Sequence, residues 1–260
     1  MRDKVTAITF NHLCKIISTS KTGPTVSRAD VVKYFKRWIK LPFASFGTDL
    51  YNLPYLKKLL TEADSKINIY VPISTYPIGG ETIESKTAEI EWAISHGATE
   101  LDCFLNRSAT KSGDWNFVKK EIEEIMNAAK GRIVKIWVEF NHLKPSEILQ
   151  VAELSIDGGA HFIRAGVGFG QVQRYSDIKL VKDVFGDKIK IEVGGGVRDA
   201  IIALNYLKAG MDRFACSTPE NIARTLEDAQ NRLWKNEVEQ LYKRIDFIIK
   251  TDPSRKRVEA

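Results

Sequence analysis

The stretch that decides the fold is Ile189-Lys190-Ile191-Glu192-Val193-Gly194-Gly195-Gly196-Val197-Arg198. Its first five residues are rich in β-branched side chains, which predicts a short strand. Three consecutive glycines follow, and a backbone that lacks Cβ atoms can approach a ligand closely. Asp199 then stands at the start of a helical pattern as a candidate N-cap. A strand, a glycine loop and a helix in this order are typical of a parallel α/β protein.

The preceding unit of the chain repeats this plan. His161-Phe162-Ile163-Arg164-Ala165 predicts a buried strand, and glycines follow it at Gly166, Gly168 and Gly170. One interpretation is that these glycines form tight turns and do nothing more. Two clusters at the carboxyl ends of successive strands instead favour a phosphate-binding site.

The rest of the chain continues the alternation of strands and helices. The predicted strands cover residues 14–18, 43–46, 67–73, 100–105, 133–139, 161–165, 189–193 and 213–216. This rhythm predicts a single (βα)8 TIM-barrel domain over residues 1–260, with an open doubly wound sheet as the alternative. The expected parts are an extra leading helix in residues 1–13, a barrel core in 14–220, and a C-terminal region in 221–260. That last region is expected to hold one long helix, 221–249, and a basic tail.

Composition limits the classes of partner. The chain has 260 residues and a net charge of +6, much of it in a solvated tail with Lys250, Arg255, Lys256 and Arg257. No basic stripe alternates with aromatic residues, so we expect no nucleic-acid partner. No apolar run approaches the roughly 18 residues of a membrane span, so we expect no membrane partner. Three widely spaced cysteines suit a reducing cytoplasm, and four histidines without ligand spacing predict no metal. No cofactor is expected.

Among the ionisable residues of the predicted strands, four could pair with each other: Asp102, Lys135, Arg164 and Glu192. Because side chains alternate along a strand, only every second one points into a barrel. A charge in that interior is costly unless it is paired. The four residues can form a structural salt-bridge network or an acid–base site, and their chemistry alone leaves both open.

Five segments, in order, carry further motifs: Tyr76-Pro77-Ile78-Gly79, the segment from Glu100 to Asn106, and segments beginning at Ala109, Val134 and Gly195. The first resembles the Phe-Pro-Leu-Gly loop of the deoxyribose-phosphate aldolase family, and the second resembles its Glu-Ile-Asp-Met-Val-Ile-Asn strand. Segments beginning at Ala109, Val134 and Gly195 are similar to its Ala-Leu-Lys-Ser-Gly-Asp, Val-Lys-Val-Ile-Ile-Glu and Gly-Gly-Ile-Arg motifs. The resemblance spans roughly residues 67–220 and implies a class I aldolase barrel.

The resemblance also implies roles for individual residues. Family members join acetaldehyde to glyceraldehyde 3-phosphate through a lysine Schiff base on strand six, assisted by a strand-seven lysine and a strand-four aspartate. Asp102 matches the aspartate, whereas Arg164 and Glu192 fall at the two lysine positions. Arginine stays protonated and offers no amine nucleophile, so we expect a divergent member that lacks the strand-six Schiff base. Arg164 and Glu192 should form an ion pair, and Lys135 is the remaining strand lysine that could supply an amine.

These observations predict a functional site at the carboxyl ends of the strands. The candidate catalytic residues are Asp102, Lys135, Arg164 and Glu192. The candidate phosphate-binding residues are Gly194, Gly195, Gly196, Arg198, Ser217 and Thr218. Ser217 and Glu220 have the spacing of a capping box at a helix start, where backbone donors attract anions.

Three functions are compatible with this site. The first is a carbon–carbon lyase or related acid/base enzyme that acts on a small phosphorylated or carboxylated carbonyl compound. The second is a non-catalytic metabolite-binding or interaction protein on an aldolase fold. The third is an ordinary aldolase in which the lysine register is shifted. A homodimer is one assembly that the sequence allows.

Overall fold

Eight parallel strands close into a barrel in the computed structural model, which describes residues 7–74, 79–166 and 172–255. Each strand pairs with the next in chain order, and the last pairs with the first. The strands are β1 (Ile17–Ser20), β2 (Ser45–Gly47), β3 (Asn68–Ile73), β4 (Glu100–Phe104), β5 (Ile133–Val138), β6 (Phe162–Ala165), β7 (Lys190–Val193) and β8 (Arg213–Cys216). The prediction of a single (βα)8 barrel is confirmed.

Helices surround the barrel. They are α1 (Phe10–Cys14), α2 (Arg28–Trp38), α3 (Leu53–Glu62), α4 (Ile83–Ser95), α5 (Arg107–Ser112), α6 (Trp115–Ala128), α7 (Pro145–Asp157), α8 (Tyr175–Phe185), α9 (Ala200–Ala209), α10 (Pro219–Asn231) and α11 (Lys235–Thr251). Asp199 caps α9 as predicted, because its carboxylate accepts a hydrogen bond of 2.9 Å from the amide of Ile202. None of the described helices is long and apolar enough to cross a membrane.

Strand parity separates an apolar layer from a charged interior. Ile163 and Ile191 belong to the buried apolar cluster that also includes residues of the helices, such as Ile178 and Val181. The next strand residues, Arg164 and Glu192, point the opposite way, into the barrel. Local alternation in the sequence therefore decides which side chains can reach the functional end of the barrel.

The amino-terminal boundaries differ from the prediction. The leading helix covers only Phe10–Cys14, because Thr9 caps it by accepting a hydrogen bond from the amide of His12. Cys14 therefore ends a helix, and β1 begins at Ile17, which pairs with Phe214. Residues 1–6 lie outside the described part of the chain.

The carboxyl-terminal region also differs. The single long helix predicted for 221–249 is wrong, because α10 ends at Asn231 and α11 begins at Lys235. The carboxylate of Glu237 accepts from the amide of Trp234, which starts a separate helix there. The tail is not wholly solvated, since Arg255 is half-buried and donates to the carbonyl of Lys15.

Two helices begin shortly after β4 and β8. Asn106 caps α5 by accepting a hydrogen bond from the amide of Ala109. The capping box at Ser217 is absent, since α10 has Thr218 as its N-cap and no side-chain cap bond. Residues 76–78 of the aldolase-like loop, with Gly168 and Gly170, lie outside the described residues.

Candidate active site at the carboxyl ends of the strands

Neighbouring strands bring the four predicted catalytic residues together inside the barrel. Asp102 on β4 lies beside Lys135 on β5, and Arg164 on β6 lies beside Glu192 on β7. Arg164 is 5% exposed, and the other three side chains have no exposed surface. The inward direction predicted from strand parity is therefore confirmed.

The ammonium group of Lys135 is enclosed by carboxylates. Its Nζ lies 2.8 Å from Glu192 Oε2, 3.1 Å from Glu100 Oε2 and 3.3 Å from Asp102 Oδ1. Burial alone would lower the pKa of Lys135, but Glu192 and Glu100 outweigh it and raise that pKa above its ordinary value. Lys135 is therefore held as an ammonium ion, which is not a nucleophile.

The guanidinium group of Arg164 faces two carboxylates and an aromatic ring. Its Nη1 forms an ion pair with Asp102 Oδ2 and lies 3.3 Å from Glu192 Oε1. The predicted pairing of Arg164 with Glu192 is thus confirmed. On its flat side, Arg164 Cζ lies 3.8 Å from the ring centroid of Trp137. Stacking and ion pairing together fix the plane of the guanidinium group.

Glu192 joins the two cations. Its Oε2 accepts hydrogen bonds of 2.8 Å from Lys135 Nζ and 2.8 Å from Ser18 Oγ. Burial alone would raise the pKa of Glu192, but Lys135, Arg164 and Arg213 hold it below the usual carboxyl range. Glu192 is consequently an anion at neutral pH.

A second ionic layer lies below the first, and the sequence analysis missed most of it. Arg213 Nη1 lies 3.1 Å from Glu100 Oε2, and Arg213 Nε donates to Asp252 Oδ2 over 2.6 Å. A further Arg213 nitrogen donates to Asp252 Oδ1 over 2.6 Å, and Ser254 Oγ also accepts from it. Arg213 opens a predicted strand at an inward position, which was an available signal. The sequence contains no comparable signal for Asp252, because this residue lies after the last helix.

A cavity of about 470 Å³ opens above Arg164 at the carboxyl ends of the strands. Its wall includes five of the six predicted phosphate-binding residues, namely Gly195, Gly196, Arg198, Ser217 and Thr218. Arg164 lines the cavity as well. Asp102, Lys135 and Glu192 are not on the wall that the described residues form. Asp102 and Glu192 both form ion pairs with Arg164, which does line the cavity.

Gly194 has a different position from its neighbours. It is buried, and a Cβ atom there would lie 3.1 Å from Arg164 Nε and 2.7 Å from the carbonyl oxygen of Gly166. Glycine at 194 therefore leaves room for the Arg164 side chain. In the described structure, Gly194 supports Arg164 and is not itself on the cavity wall.

Tyr70 also lines the cavity, and the sequence analysis did not single it out. It lies on β3, and its ring centroid is 5.6 Å from Arg164 Cζ and 4.8 Å from Lys135 Nζ. The available signal was its inward parity on β3, two residues before Pro72, which pairs with Asp102.

Comparisons with known proteins agree with this architecture. No protein-family model matches the chain. A deoxyribose-phosphate aldolase of Dictyoglomus turgidum is 31% identical over 212 residues, covering 81% of this chain and 95% of that protein. One from Thermococcus gammatolerans is 30% identical over 222 residues, covering 84% of this chain and 97% of that protein.

Solved structures give the same result. A protein described as QR15, an aldolase, superposes with a TM-score of 0.76 at 27% identity, covering 85% of this chain and 99% of that chain. The deoxyribose phosphate aldolase of Aeropyrum pernix, described as a unique tetramer, has a TM-score of 0.77 at 19% identity. That match covers 84% of this chain and 92% of the other, and it supports the fold alone. By its identity to the curated relatives over most of its length, the chain belongs to the deoxyribose-phosphate aldolase family.

Proposed function

We propose that this protein is a carbon–carbon lyase or related acid/base enzyme that works without the strand-six Schiff base implied for its family. Its substrate would be a small phosphorylated or carboxylated carbonyl compound. The observation that carries the proposal is the guanidinium of Arg164, which lines the cavity where the family resemblance places the Schiff-base lysine.

The neighbouring lysine is a poor substitute for the missing amine. A Schiff base forms only from a neutral primary amine. Lys135 has carboxylate oxygens at 2.8, 3.1 and 3.3 Å, and these stabilise its ammonium form. It also has no exposed surface through which a substrate carbon could reach it.

Arg164 supports a different way to stabilise the reaction. When a carbon–carbon bond next to a carbonyl breaks, its electron pair moves to the carbonyl oxygen and forms an enolate. Guanidinium N–H donors placed in advance would stabilise that oxygen as charge develops. Asp102 and Glu192 hold the guanidinium from below, and Trp137 holds its flat side. Being sealed beneath Arg164, the two carboxylates act as positioning residues in this proposal.

The far wall of the cavity suits a phosphate group. Arg198 is exposed there and has no ion-pair partner among the described residues. The Thr218 side chain makes no cap bond to α10, and Pro219 has no N–H, so the amide of Glu220 is the first-turn donor that remains available to an anion. The charge of Arg164 is already shared by two carboxylates. Phosphate binding is therefore assigned to the side of Arg198, Ser217 and Thr218.

The first experiment tests for a Schiff base. The protein is incubated with deoxyribose 5-phosphate, reduced with borohydride and weighed intact, with the Dictyoglomus turgidum relative as the positive control. We expect no covalent adduct on this protein. A stoichiometric adduct mapped to Lys135 would overturn the proposal and show that the catalytic amine has moved to strand five.

The second experiment tests for turnover. Exchange of α-protons for deuterium is followed by NMR with glyceraldehyde 3-phosphate or dihydroxyacetone phosphate in D2O. We expect exchange that Arg164→Gln abolishes and that Arg224→Gln, an exposed arginine of α10, leaves unchanged. Saturable binding of these compounds without exchange would instead support the alternative, a metabolite-binding protein.

A further inference from the structure

We propose that Tyr70 is a catalytic residue whose hydroxyl donates a hydrogen bond to the same substrate oxygen that Arg164 stabilises. This inference rests on the proposed function and adds a second donor to it. The reacting oxygen would then lie between a phenol and a guanidinium, with no amine required.

The position of Tyr70 supports this role. It lies on β3 with 3% of its surface exposed, and both it and Ser20 line the cavity. The side chain of Ser20, at the end of β1, is near enough to the phenol to oppose the rise in its pKa. Its ring centroid is 5.6 Å from Arg164 Cζ, so the two side chains are neighbours at the base of the cavity.

The neighbouring strand β2 has a residue that admits this ring. Gly47 pairs with Tyr70, and a Cβ atom at position 47 would lie 2.1 Å from Tyr70 Cζ and 2.5 Å from its hydroxyl oxygen. Any larger residue at 47 would displace the phenol. The position of the hydroxyl therefore depends on a pair of residues, Gly47 and Tyr70, and not on the tyrosine alone.

Chemistry singles out this phenol among the titratable groups that line the described part of the cavity. A guanidinium group donates hydrogen bonds but does not give up a proton in proteins. Cys216 is buried, which raises the pKa of its thiol to about 11, and a thiol is a weak donor. Burial also raises the pKa of Tyr70, although Arg164 and Ser20 partly oppose it, so the phenol stays protonated. A protonated phenol is a good donor to an oxygen that gains negative charge.

The step needs no proton transfer from Tyr70. As the carbon–carbon bond breaks, its electron pair forms the enolate, and the carbonyl oxygen gains negative charge. Tyr70 and Arg164 stabilise that charge by donating hydrogen bonds to the oxygen. The proton of the departing β-hydroxyl passes to water in the open cavity. The enolate carbon later takes a proton from water. Tyr70 and Arg164 are unchanged at the end.

The test measures binding, so that it does not depend on turnover. The probes are 2-phosphoglycolate, whose carboxylate imitates an enolate oxygen beside a phosphate, and inorganic phosphate alone. Titration calorimetry is run on the wild type, Tyr70→Phe, Gly47→Ala and Tyr206→Phe. Tyr206 is the matched control, a buried tyrosine whose hydroxyl donates to the carbonyl of Gln173 and does not line the cavity.

We expect Tyr70→Phe to weaken 2-phosphoglycolate binding by about 10-fold or more, which is the loss of one hydrogen bond to a charged group. Gly47→Ala should do the same by moving the ring while keeping the hydroxyl. Tyr206→Phe should bind as the wild type does, and inorganic phosphate should bind all four proteins within about 2-fold. Thermal melts identify any variant that fails to fold. If Tyr70→Phe or Gly47→Ala fails to fold, the other variant tests the proposal.

Unchanged 2-phosphoglycolate binding in folded Tyr70→Phe would overturn the role of Tyr70 and leave the phosphate site standing. A wild type that binds phosphate but binds 2-phosphoglycolate no more tightly would do the same. A wild type that binds neither probe would remove both the role of Tyr70 and the proposed phosphate site.

Discussion

Replacing Glu192 with glutamine should destabilise the protein strongly, although the two side chains have nearly the same shape. Glu192 accepts hydrogen bonds from Lys135 and Ser18 at 2.8 Å each, and its other oxygen lies 3.3 Å from Arg164 Nη1. Glutamine removes the anion and turns an N–H donor toward one of the two cations. Breaking a buried pair from one side costs about 3–5 kcal/mol. At about 2–4 °C per kcal/mol for a protein of this size class, the melting temperature should fall by about 6–20 °C.

The assay is urea unfolding at pH 7, with Asp183→Asn as the matched control. Asp183 pairs with Lys179 at 2.8 Å on the surface, where both side chains are more than half exposed. An exposed pair contributes only about 0–1 kcal/mol, so the control should unfold nearly as the wild type does. A loss below about 1 kcal/mol in Glu192→Gln would refute the reasoning, because the carboxylate would then be replaceable by any acceptor of the same shape.

The pH dependence gives a second readout of Glu192. In the folded protein, burial alone would raise the pKa of Glu192, but Lys135 and Arg164 hold it below the usual carboxyl range. The stability that this carboxylate contributes is therefore present above the unfolded-state pKa of about 4.3 and is lost as pH falls below it. The difference in the free energy of unfolding between wild type and Glu192→Gln should therefore shrink as the pH falls below that unfolded-state pKa. A difference that stays constant from pH 7 to pH 3 would contradict the ion-pair account.

Two further predictions concern the ends of the ionic network. The double variant Arg164→Lys with Glu192→Lys should form a borohydride-trapped adduct at residue 164 with deoxyribose 5-phosphate, and its absence would show that the site no longer supports the family chemistry. Asp252→Ala removes the carboxylate that receives two 2.6 Å hydrogen bonds from Arg213, and it should lower the free energy of unfolding by about 3–5 kcal/mol in urea titration. A loss below about 1 kcal/mol there would mean that Glu100 and Ser254 suffice to hold Arg213.

The sequence predicted the barrel and most of its inward-facing charges because both follow from local pattern. Alternation within a strand decides which side chain points inward, and this placed Asp102 and Glu192 correctly. β8 was predicted with the bounds that the structure has, and β7 within one residue.

The errors arose where distant partners decide the structure. Asp252 lies 39 residues after Arg213 and meets it only because the segment that follows α11 folds back to the barrel. The match of Gly47 with Tyr70 depends on the strand register between β2 and β3, which no local pattern contains. The amino-terminal helix and the break before α11 were likewise set by capping contacts, where sequence-based boundaries are least reliable.

The balance of charge inside the barrel predicts that restoring an amine requires a change at both positions 164 and 192. Among the described residues, the interior network contains three cations and four carboxylates: Lys135, Arg164, Arg213, Glu100, Asp102, Glu192 and Asp252. A lysine placed alone at 164 would face Asp102 and Glu192, and both would stabilise its ammonium form and raise its pKa. Lysine at 192 as well removes one of those anions and adds a cation, which favours the neutral amine that a Schiff base requires. Arg164→Lys alone is therefore expected to give no borohydride-trapped adduct, whereas the double variant gives one. Equal adduct yields from the two variants would show that the charge at position 192 does not control the amine at position 164.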